Sequence, residues 1–142
     1  LLRGRTRDEV ITELSAVLAP VTGLPHAEIT ERVMDREKTM STGIGKRVAI
    51  PHARVEGLNA PVIAIGFSKD GIDFDAPDGH PARLIFLVLT PKDEFQRQLQ
   101  ILAEIGKLLR SDRSVERLLQ SQSFVSLRAL INSEEKTHAS AE

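Results

Sequence analysis

The sequence predicts an α/β fold, a single domain with a mixed β-sheet of about four to five strands and helices on both faces. Residues 61–68 and 83–90 are apolar along nearly their whole length, which is typical of strands buried on both faces. Segments with helical spacing of apolar residues precede and follow these two runs. This order of elements is typical of a sheet layered between helices.

The first helix is predicted to begin after Thr6 and to end at about Ala19. Thr6 and Glu9 have the spacing of a capping box, in which each side chain bonds the backbone of the other residue. Pro20 and Gly23 are expected to close the helix. The apolar residues that repeat with helical spacing are Val10, Ile11, Leu14, Val17 and Leu18.

A second helix is predicted over residues 26–38, with Pro25 at its start and Ile29 and Val33 facing inward. Residues 69–71 have turn composition and should end the strand at 61–68. The remaining segments are a short extended piece at 72–74, a loop at 75–81 and a central strand at 83–90 that Pro91 ends.

The last third of the chain is predicted to be helical. A long helix over residues 93–110 should bury the stripe Phe95, Leu99, Leu102, Ile105 and Leu109. Ser111 or Asp112 should cap another helix through Val115, Leu118 and Leu119, and Ser123 a last one through Phe124, Leu127 and Ile131. We expect one domain over residues 1–142, with a core at about 6–132 and a frayed tail at 133–142.

Composition excludes several classes of function. The chain has 142 residues and a net charge of −1, which argues against bulk nucleic-acid binding. It has no cysteine, so disulfides, thiolate nucleophiles and thiolate metal sites are excluded. No apolar run approaches the roughly 18 residues that span a bilayer, and a cytoplasmic location is expected. The chain begins with Leu1 and not Met, as a processed chain, a trimmed chain or a domain cut from a longer polypeptide would.

The stretch from Ser41 to His52 has the most specific composition in the chain. It contains a glycine-bearing turn at 41–45, a short apolar strand at 48–50, and Pro51, which should end that strand and leave His52 at its terminus. Three cations flank this histidine, namely Lys46, Arg47 and Arg54. Such surroundings suit an anionic group such as phosphate, although most histidines in proteins are surface or structural residues, so the residues alone leave both interpretations open.

Other candidate sites have simpler interpretations. His26 is expected to be an exposed polar residue at a helix start, His80 a loop residue and His138 part of the tail. The carboxylates of Asp73, Asp75 and Asp78 are expected to accept hydrogen bonds from local backbone donors rather than to bind a metal. Metalloprotease, P-loop and nucleophile-elbow motifs are absent, and Gly43-Ile44-Gly45 alone is weak evidence for nucleotide binding.

Three blocks of sequence together resemble a known family. They are Asp35-Arg36-Glu37-Lys38 with Ser41-Thr42-Gly43-Ile44-Gly45 and Ala49-Ile50-Pro51-His52, then residues 71–79 with 81–87, and then Leu99-Gln100-Ile101-Leu102-Ala103. They resemble the EIIA domains of the mannitol/fructose type of the bacterial phosphoenolpyruvate-dependent sugar phosphotransferase system, a family that includes the nitrogen-regulatory EIIA proteins. The resemblance covers about residues 6 to 132 and agrees with an α/β fold.

The resemblance implies a phosphotransferase in which His52 accepts a phosphoryl group from the phosphohistidine of HPr, or of an HPr-like protein, and passes it to an EIIB domain. It implies that Arg36 stabilises phosphate charge. Backbone N–H groups at Thr42, Gly43 and Gly45 could be further donors, and Arg54 is another candidate. No metal or cofactor is required.

Two positions depart from the family pattern. Arg47 stands where many members have glycine, and Gln98 stands where many have a second histidine. An amide can donate a hydrogen bond but cannot take up a proton, so Gln98 puts the efficiency of transfer in question. Two alternatives to sugar transport therefore stay open. One is a regulatory module, of the nitrogen type or attached to a transporter, that signals through the phosphorylation state of His52, and the other is a degenerate ligand-binding domain.

Overall fold

The computed structural model describes residues 1–109 and 111–121, which form four helices and a five-stranded sheet. None of the helices among these residues has the length and apolar character needed to cross a membrane. In chain order the elements are α1 (Arg7–Thr22), α2 (His26–Thr39), β1 (Gly43–Gly45), β2 (Val48–Ala49), β3 (His52–Val55), β4 (Val62–Ile72), β5 (Ala82–Pro91), α3 (Phe95–Leu108) and α4 (Asp112–Ser121).

Strand β5 is the centre of the sheet, as its largely apolar sequence predicted. Strand β4 pairs with one of its edges in antiparallel orientation. Strands β2 and β3 follow one another in parallel orientation along the other edge, and β1 extends the sheet beside β2. The sheet is therefore mixed, and the line of strands β2 and β3 beside β5 is broken between Ala49 and His52.

Two hydrophobic cores lie on opposite faces of the sheet. Helices α1 and α2 cover one face, and α3 and α4 cover the other. Alternate side chains of β5 enter the two cores, with Ile85, Leu87 and Leu89 on one side and Leu84, Phe86 and Val88 on the other. Each large apolar side chain contributes about 1.5–3 kcal/mol on burial. The prediction of helices on both faces of a mixed sheet is thereby confirmed.

The start of α1 follows the prediction, and its end does not. The hydroxyl of Thr6 accepts the backbone N–H of Glu9 at 3.2 Å, which is the predicted cap. The helix then continues through Pro20, whose fixed φ is compatible with a helix although its missing N–H leaves one hydrogen bond unformed. Gly23 ends the helix in the left-handed region at φ 74°, and its N–H donates to the carbonyl of Ala19.

Strand β4 is longer than predicted, because residues 69–71 do not end it. The pairing with β5 is irregular between Phe67 and Ile72 and then resumes. Within this irregular stretch the N–H of Gly71, at φ 90°, donates to the hydroxyl of Ser68 at 3.0 Å. The predicted turn is therefore a bulge inside one long strand.

The predictions of which helix faces are buried are partly wrong. Val17 in α1 is 57% exposed, and Phe95 and Leu99 in α3 are 48% and 46% exposed. In α3 the buried face instead carries Gln98 in its first turns and Ile105 near its end. Helix α4 buries Val115, Leu118 and Leu119 as predicted. The predicted helix after Ser123 and the tail at 133–142, with His138, lie outside the described residues.

Candidate functional site

His52 begins β3, directly after the break that separates it from β2. It was predicted to follow the end of a strand, and the structure shows that pairing with β5 resumes at His52, whose partner is Val88. Pro51 has no N–H, but its carbonyl accepts the N–H of Val88 at 3.0 Å and so holds the break against β5. The N–H of Ile50 donates to the carbonyl of Thr42 at 3.0 Å. The imidazole thus stands on backbone that is held from both sides.

The imidazole of His52 is oriented by one hydrogen bond. Its Nδ1 lies 2.8 Å from the carbonyl oxygen of Ile50, and the side chain is only 8% exposed. A carbonyl can only accept, so Nδ1 carries the proton and Nε2 carries the lone pair. Burial is the largest cause of a lowered pKa for His52, and the bond to Ile50 offsets part of that effect. The ring is therefore neutral near pH 7, with Nε2 as its nucleophilic atom.

Two opposite charges at the end of α2 act on this ring. The guanidinium of Arg36 lowers the pKa of His52, and the carboxylate of Glu37 raises it. Arg36 is partly buried. Its Nη1 donates to the carbonyl of Met40 at 3.1 Å, which holds the side chain at the C-terminal end of α2. The structure therefore brings Arg36, sixteen residues upstream in sequence, into the electrostatic surroundings of His52.

Glu37 is a site residue that the sequence reasoning missed. Its side chain is 2% exposed, and its carboxylate accepts the N–H of Thr42 at 3.0 Å and the hydroxyl of Thr42 at 2.6 Å. A buried carboxylate needs such partners, since burying it without them is costly. The signal was present in the spacing, because Ile29, Val33 and Glu37 lie four residues apart on the buried face of α2.

Two of the predicted phosphate donors already have partners within the chain. The segment expected to be a turn is strand β1, the N–H of Thr42 donates to Glu37, and the N–H of Gly43 donates to the hydroxyl of Ser41 at 3.2 Å. These two groups are therefore not free donors. A Cβ at Gly43 would lie 2.9 Å from the carbonyl oxygen of Phe74, so the position needs glycine for close packing. For Gly45 the donor role stays a prediction.

Arg54 and Gln98 lie on the side of the sheet that α3 covers. Arg54 follows His52 by two residues in β3, so both side chains leave the same face. Its guanidinium stacks 5.1 Å from the ring centroid of Phe95, and its Nη1 donates to the carbonyl of Lys92 at 3.3 Å. Gln98 is 6% exposed, in the first turns of the same helix. Arg54 is thus exposed but held in place, and Gln98 is a buried polar residue.

The carboxylates of Asp73 and Asp78 accept local backbone donors, as expected. The carboxylate of Asp78 accepts the N–H groups of Lys46 at 2.9 Å and His80 at 3.0 Å. These two bonds, that of His80 first, lower the pKa of Asp78. Asp73 accepts the N–H of Asp75 at 2.9 Å. Within residues 1–109 and 111–121 no group of three histidine, aspartate or glutamate side chains could hold a metal ion.

His26 is exposed, and its Nε2 lies 2.8 Å from the carbonyl of Thr12. It therefore links α2 to α1 and has no contact with the site around His52. This agrees with the expectation of an exposed polar residue at a helix start.

Comparison with known proteins identifies the family. Residues 2–134 match the family model described as "Phosphoenolpyruvate-dependent sugar phosphotransferase system, EIIA 2". The chain is 32% identical over 136 residues to the fructose-specific EIIABC component of Bacillus subtilis, which covers 95% of this chain and 21% of that protein. It is 34% identical over 130 residues to the nitrogen regulatory protein of Escherichia coli K12, which covers 91% of this chain and 78% of that protein.

The chain spans only part of several relatives. It matches 60% of the length of the fructose-specific EIIA component of Haloferax volcanii and 53% of that of the nitrogen regulatory protein of Pseudomonas aeruginosa.

Solved structures agree with this assignment. The nitrogen regulatory protein IIA-Ntr of Neisseria meningitidis has a TM-score of 0.86 at 31% identity, over 91% of this chain and 88% of that one. The IIA mannitol domain of Escherichia coli shares the fold, with a TM-score of 0.76 at 22% identity over 91% of each chain. The resemblance inferred from the three sequence blocks is confirmed. This chain belongs to the type 2 EIIA family of the phosphoenolpyruvate-dependent sugar phosphotransferase system.

Proposed function

We propose that this chain is a phosphocarrier domain in which Nε2 of His52 accepts a phosphoryl group and passes it on. The observation that supports this most directly is the bond from Nδ1 of His52 to the carbonyl of Ile50, because it leaves the lone pair on Nε2. Burial adds to it by lowering the pKa of His52, so that the ring is neutral at neutral pH and Nε2 is free to act as a nucleophile.

The proposed transfer requires positioning and charge, and no further cofactor. The Nε2 lone pair attacks phosphorus in line with the P–N bond of the donor phosphohistidine, and that bond breaks as the electron pair returns to the donor ring. The His52 ring becomes positive as the new bond forms, and the Ile50 carbonyl stabilises the N–H that carries this charge. Arg36 stabilises the negative charge that the three equatorial phosphoryl oxygens share in the transition state.

The proposed donor is HPr or an HPr-like protein, and the proposed acceptor is an EIIB domain, all within the cytoplasm. The mannitol IIA domain of Escherichia coli was solved in complex with phosphorylated IIB, which supports an EIIB acceptor for this chain. The fused EIIABC relative supports the same pairing. The chain has no cysteine, so any transfer to a cysteine requires another domain or protein.

A regulatory role is the second candidate, because the chain is also similar to nitrogen regulatory proteins along most of their length. In that role His52 is phosphorylated in the same way, and a partner protein recognises the phosphorylated or the free form. Incubation of the phosphorylated chain with purified fructose- or mannitol-type EIIB distinguishes the two. Phosphate moves to EIIB within minutes for a carrier and stays on His52 for a regulator.

Phosphate uptake from phosphoenolpyruvate through enzyme I and HPr tests the common step. The wild-type chain should gain acid-labile phosphate, His52→Ala should gain none, and the exposed loop variant His80→Ala should match wild type. No uptake by wild type, or equal uptake by His52→Ala, would show that His52 is not the acceptor.

Arg36→Ala should slow uptake by roughly a hundredfold to a thousandfold while leaving the fold intact, since one removed charge-stabilising donor has effects of this size. Arg32→Ala, an exposed arginine one turn earlier on the same helix, is the matched control and should react at the wild-type rate. An Arg36→Ala rate equal to that of Arg32→Ala would remove Arg36 from the mechanism.

A further inference from the structure

We infer that Glu37 is a positioning residue that keeps the Ile50 carbonyl available to His52, by taking the N–H of Thr42 away from that carbonyl. The inference rests on the proposed role of His52 and adds a residue that acts on it through two others. Its evidence is the pattern of hydrogen bonds where β1 and β2 end.

The pairing of β1 with β2 continues for one residue pair beyond the strands, but only one of the two hydrogen bonds of that pair is formed. Gly43 pairs with Ala49, so the next pair in the same antiparallel register is Thr42 with Ile50. The N–H of Ile50 does donate to the carbonyl of Thr42 at 3.0 Å. In a complete pair of this kind the N–H of Thr42 would donate back to the carbonyl of Ile50. Here it donates to Glu37 at 3.0 Å instead.

The carboxylate of Glu37 is a stronger acceptor for the N–H of Thr42 than the carbonyl of Ile50. It takes both the N–H and the hydroxyl of Thr42, the latter at 2.6 Å, and it is 2% exposed. Hydrogen bonds to a carboxylate are roughly twice as strong as those to a neutral carbonyl, and burial strengthens them further. Glu37 is itself fixed in the last turn of α2, whose buried face packs into the core.

Because the N–H of Thr42 donates to Glu37, the Ile50 carbonyl is available to accept the Nδ1–H of His52 at 2.8 Å. Pro51 holds the other side of Ile50, because its carbonyl is bonded to Val88 in the central strand. The carbonyl is therefore fixed from Thr42 on one side and from β5 on the other. Its direction determines which imidazole nitrogen keeps the proton, and so which nitrogen can attack phosphorus.

Glu37 also has a direct electrostatic effect. Its charge favours the protonated ring, opposite to the effect of Arg36, and so it stabilises the positive charge that the ring gains when the bond to phosphorus forms. Positioning and charge can be separated by Glu37→Gln. The glutamine carbonyl can still accept the N–H of Thr42, and its amide can donate to the Thr42 hydroxyl, while the charge is lost.

The test compares Glu37→Ala, Glu37→Gln and the matched exposed variant Glu31→Ala from the same helix. The tautomer of His52 is read from imidazole ¹⁵N shifts of protein labelled at histidine, at a pH where the ring is neutral. The rate of phosphate uptake from phospho-HPr is measured on the same samples. We expect wild type, Glu31→Ala and Glu37→Gln to show one tautomer with the proton on Nδ1.

Glu37→Ala should show both tautomers and take up phosphate slower by tenfold to a hundredfold, on the order of the effect of a misplaced reacting group. Glu37→Gln should lose less of the rate than Glu37→Ala. The positioning role is refuted if folded Glu37→Ala keeps the wild-type tautomer, whatever its rate, because a slow rate with an unchanged ring would reflect charge or stability alone.

If Glu37→Ala does not fold, Glu37→Asp decides the question against Glu31→Asp, the matched change at an exposed position of the same helix. The shorter side chain withdraws the carboxylate from the N–H of Thr42, so Glu37→Asp should mix the tautomers, and a spectrum equal to that of Glu31→Asp overturns the inference. The tautomer measurement needs no phosphate. A wild-type chain that takes up none would refute the phosphocarrier role without changing the result on Glu37.

Discussion

The loop between β1 and β2 is strained, and replacing Arg47 by glycine should show by how much. This two-residue loop consists of Lys46 and Arg47, whose φ angles are 55° and 65°. Two-residue hairpin loops with positive φ at both positions normally contain asparagine, aspartate or glycine. A side chain in the left-handed region costs about 1–2 kcal/mol. We predict that Arg47→Gly relieves this strain at one of the two positions.

Two effects oppose the gain. Glycine is more flexible in the unfolded chain, which offsets about 0.5–1 kcal/mol. Arg47 also forms an ion pair with Glu116 of α4, with Nη1 and Oε1 at 2.7 Å. The two side chains are 44% and 51% exposed, so the pair contributes about 0–1 kcal/mol. In wild type, Arg47→Gly should therefore change the free energy of unfolding by less than about 1 kcal/mol in either direction.

The backbone effect can be isolated in the Glu116→Ala background, where the ion pair is already absent. There Arg47→Gly should raise the free energy of unfolding by about 0.5–1 kcal/mol, since the carbonyl of residue 47 keeps its bonds to the N–H groups of Arg83 and Leu84. Urea unfolding of the four chains of this cycle gives the value, and thermal unfolding should shift by roughly 2–4 °C per kcal/mol. If Arg47→Gly lowers stability in the Glu116→Ala background, the loop is not strained in the way its φ angles indicate.

Two further predictions concern His52 and the core. The pKa of His52 is lowered from its ordinary value of 6.5, mainly by burial, so the unfolded chain takes up a proton at higher pH than the folded chain. The free energy of unfolding of wild type relative to His52→Asn should therefore be constant above pH 6.5 and fall as the pH decreases below it. Urea unfolding at about pH 7.5 and about pH 5.5 measures this difference, and an equal difference at the two pH values would contradict the lowered pKa. Phe86→Ala should cost about 3–5 kcal/mol, because the side chain is 1% exposed in the centre of the second core. Phe95→Ala, at 48% exposure, should cost less than about 1.5 kcal/mol, and equal losses for the two would contradict the assignment of the core.

The central strand and both helix layers could be predicted because their apolar patterns extend over many residues. Residues 84–89 contain no polar residue, and a segment of this kind has to be buried on both faces. The face of α3 was harder to predict, because Phe95 and Leu99 fit the same helical stripe as Ile105. Only part of α3 packs against the sheet, and the spacing of apolar residues does not show where along the helix that packing begins.

The site was only partly predictable, for a different reason. His52 and Arg36 were found through motifs, and the distance in sequence between them gave no local sign of their proximity. Glu37 was passed over because a charged residue in a helix usually faces solvent. Only its four-residue spacing from Val33 placed it on the buried face, and only the structure showed that Thr42 satisfies it there.

The location of the site follows from the break between β2 and β3. In an unbroken parallel strand the side chain of His52 would still lie on the face that α3 covers, but its neighbouring carbonyls would belong to regular ladders. Pro51 interrupts the hydrogen-bond ladder with β5, but the chain stays attached to β5 because the carbonyl of Pro51 accepts the N–H of Val88. The N–H of Ile50 then donates to the carbonyl of Thr42, and Glu37 accepts the N–H of Thr42 that would have completed that pair. The result is a single backbone acceptor, unpaired by the sheet, beside the one histidine that is buried among the described residues. A histidine placed on any regular strand of this sheet would lack such an acceptor, so the proline and the glutamate are as much a part of the proposed chemistry as the imidazole.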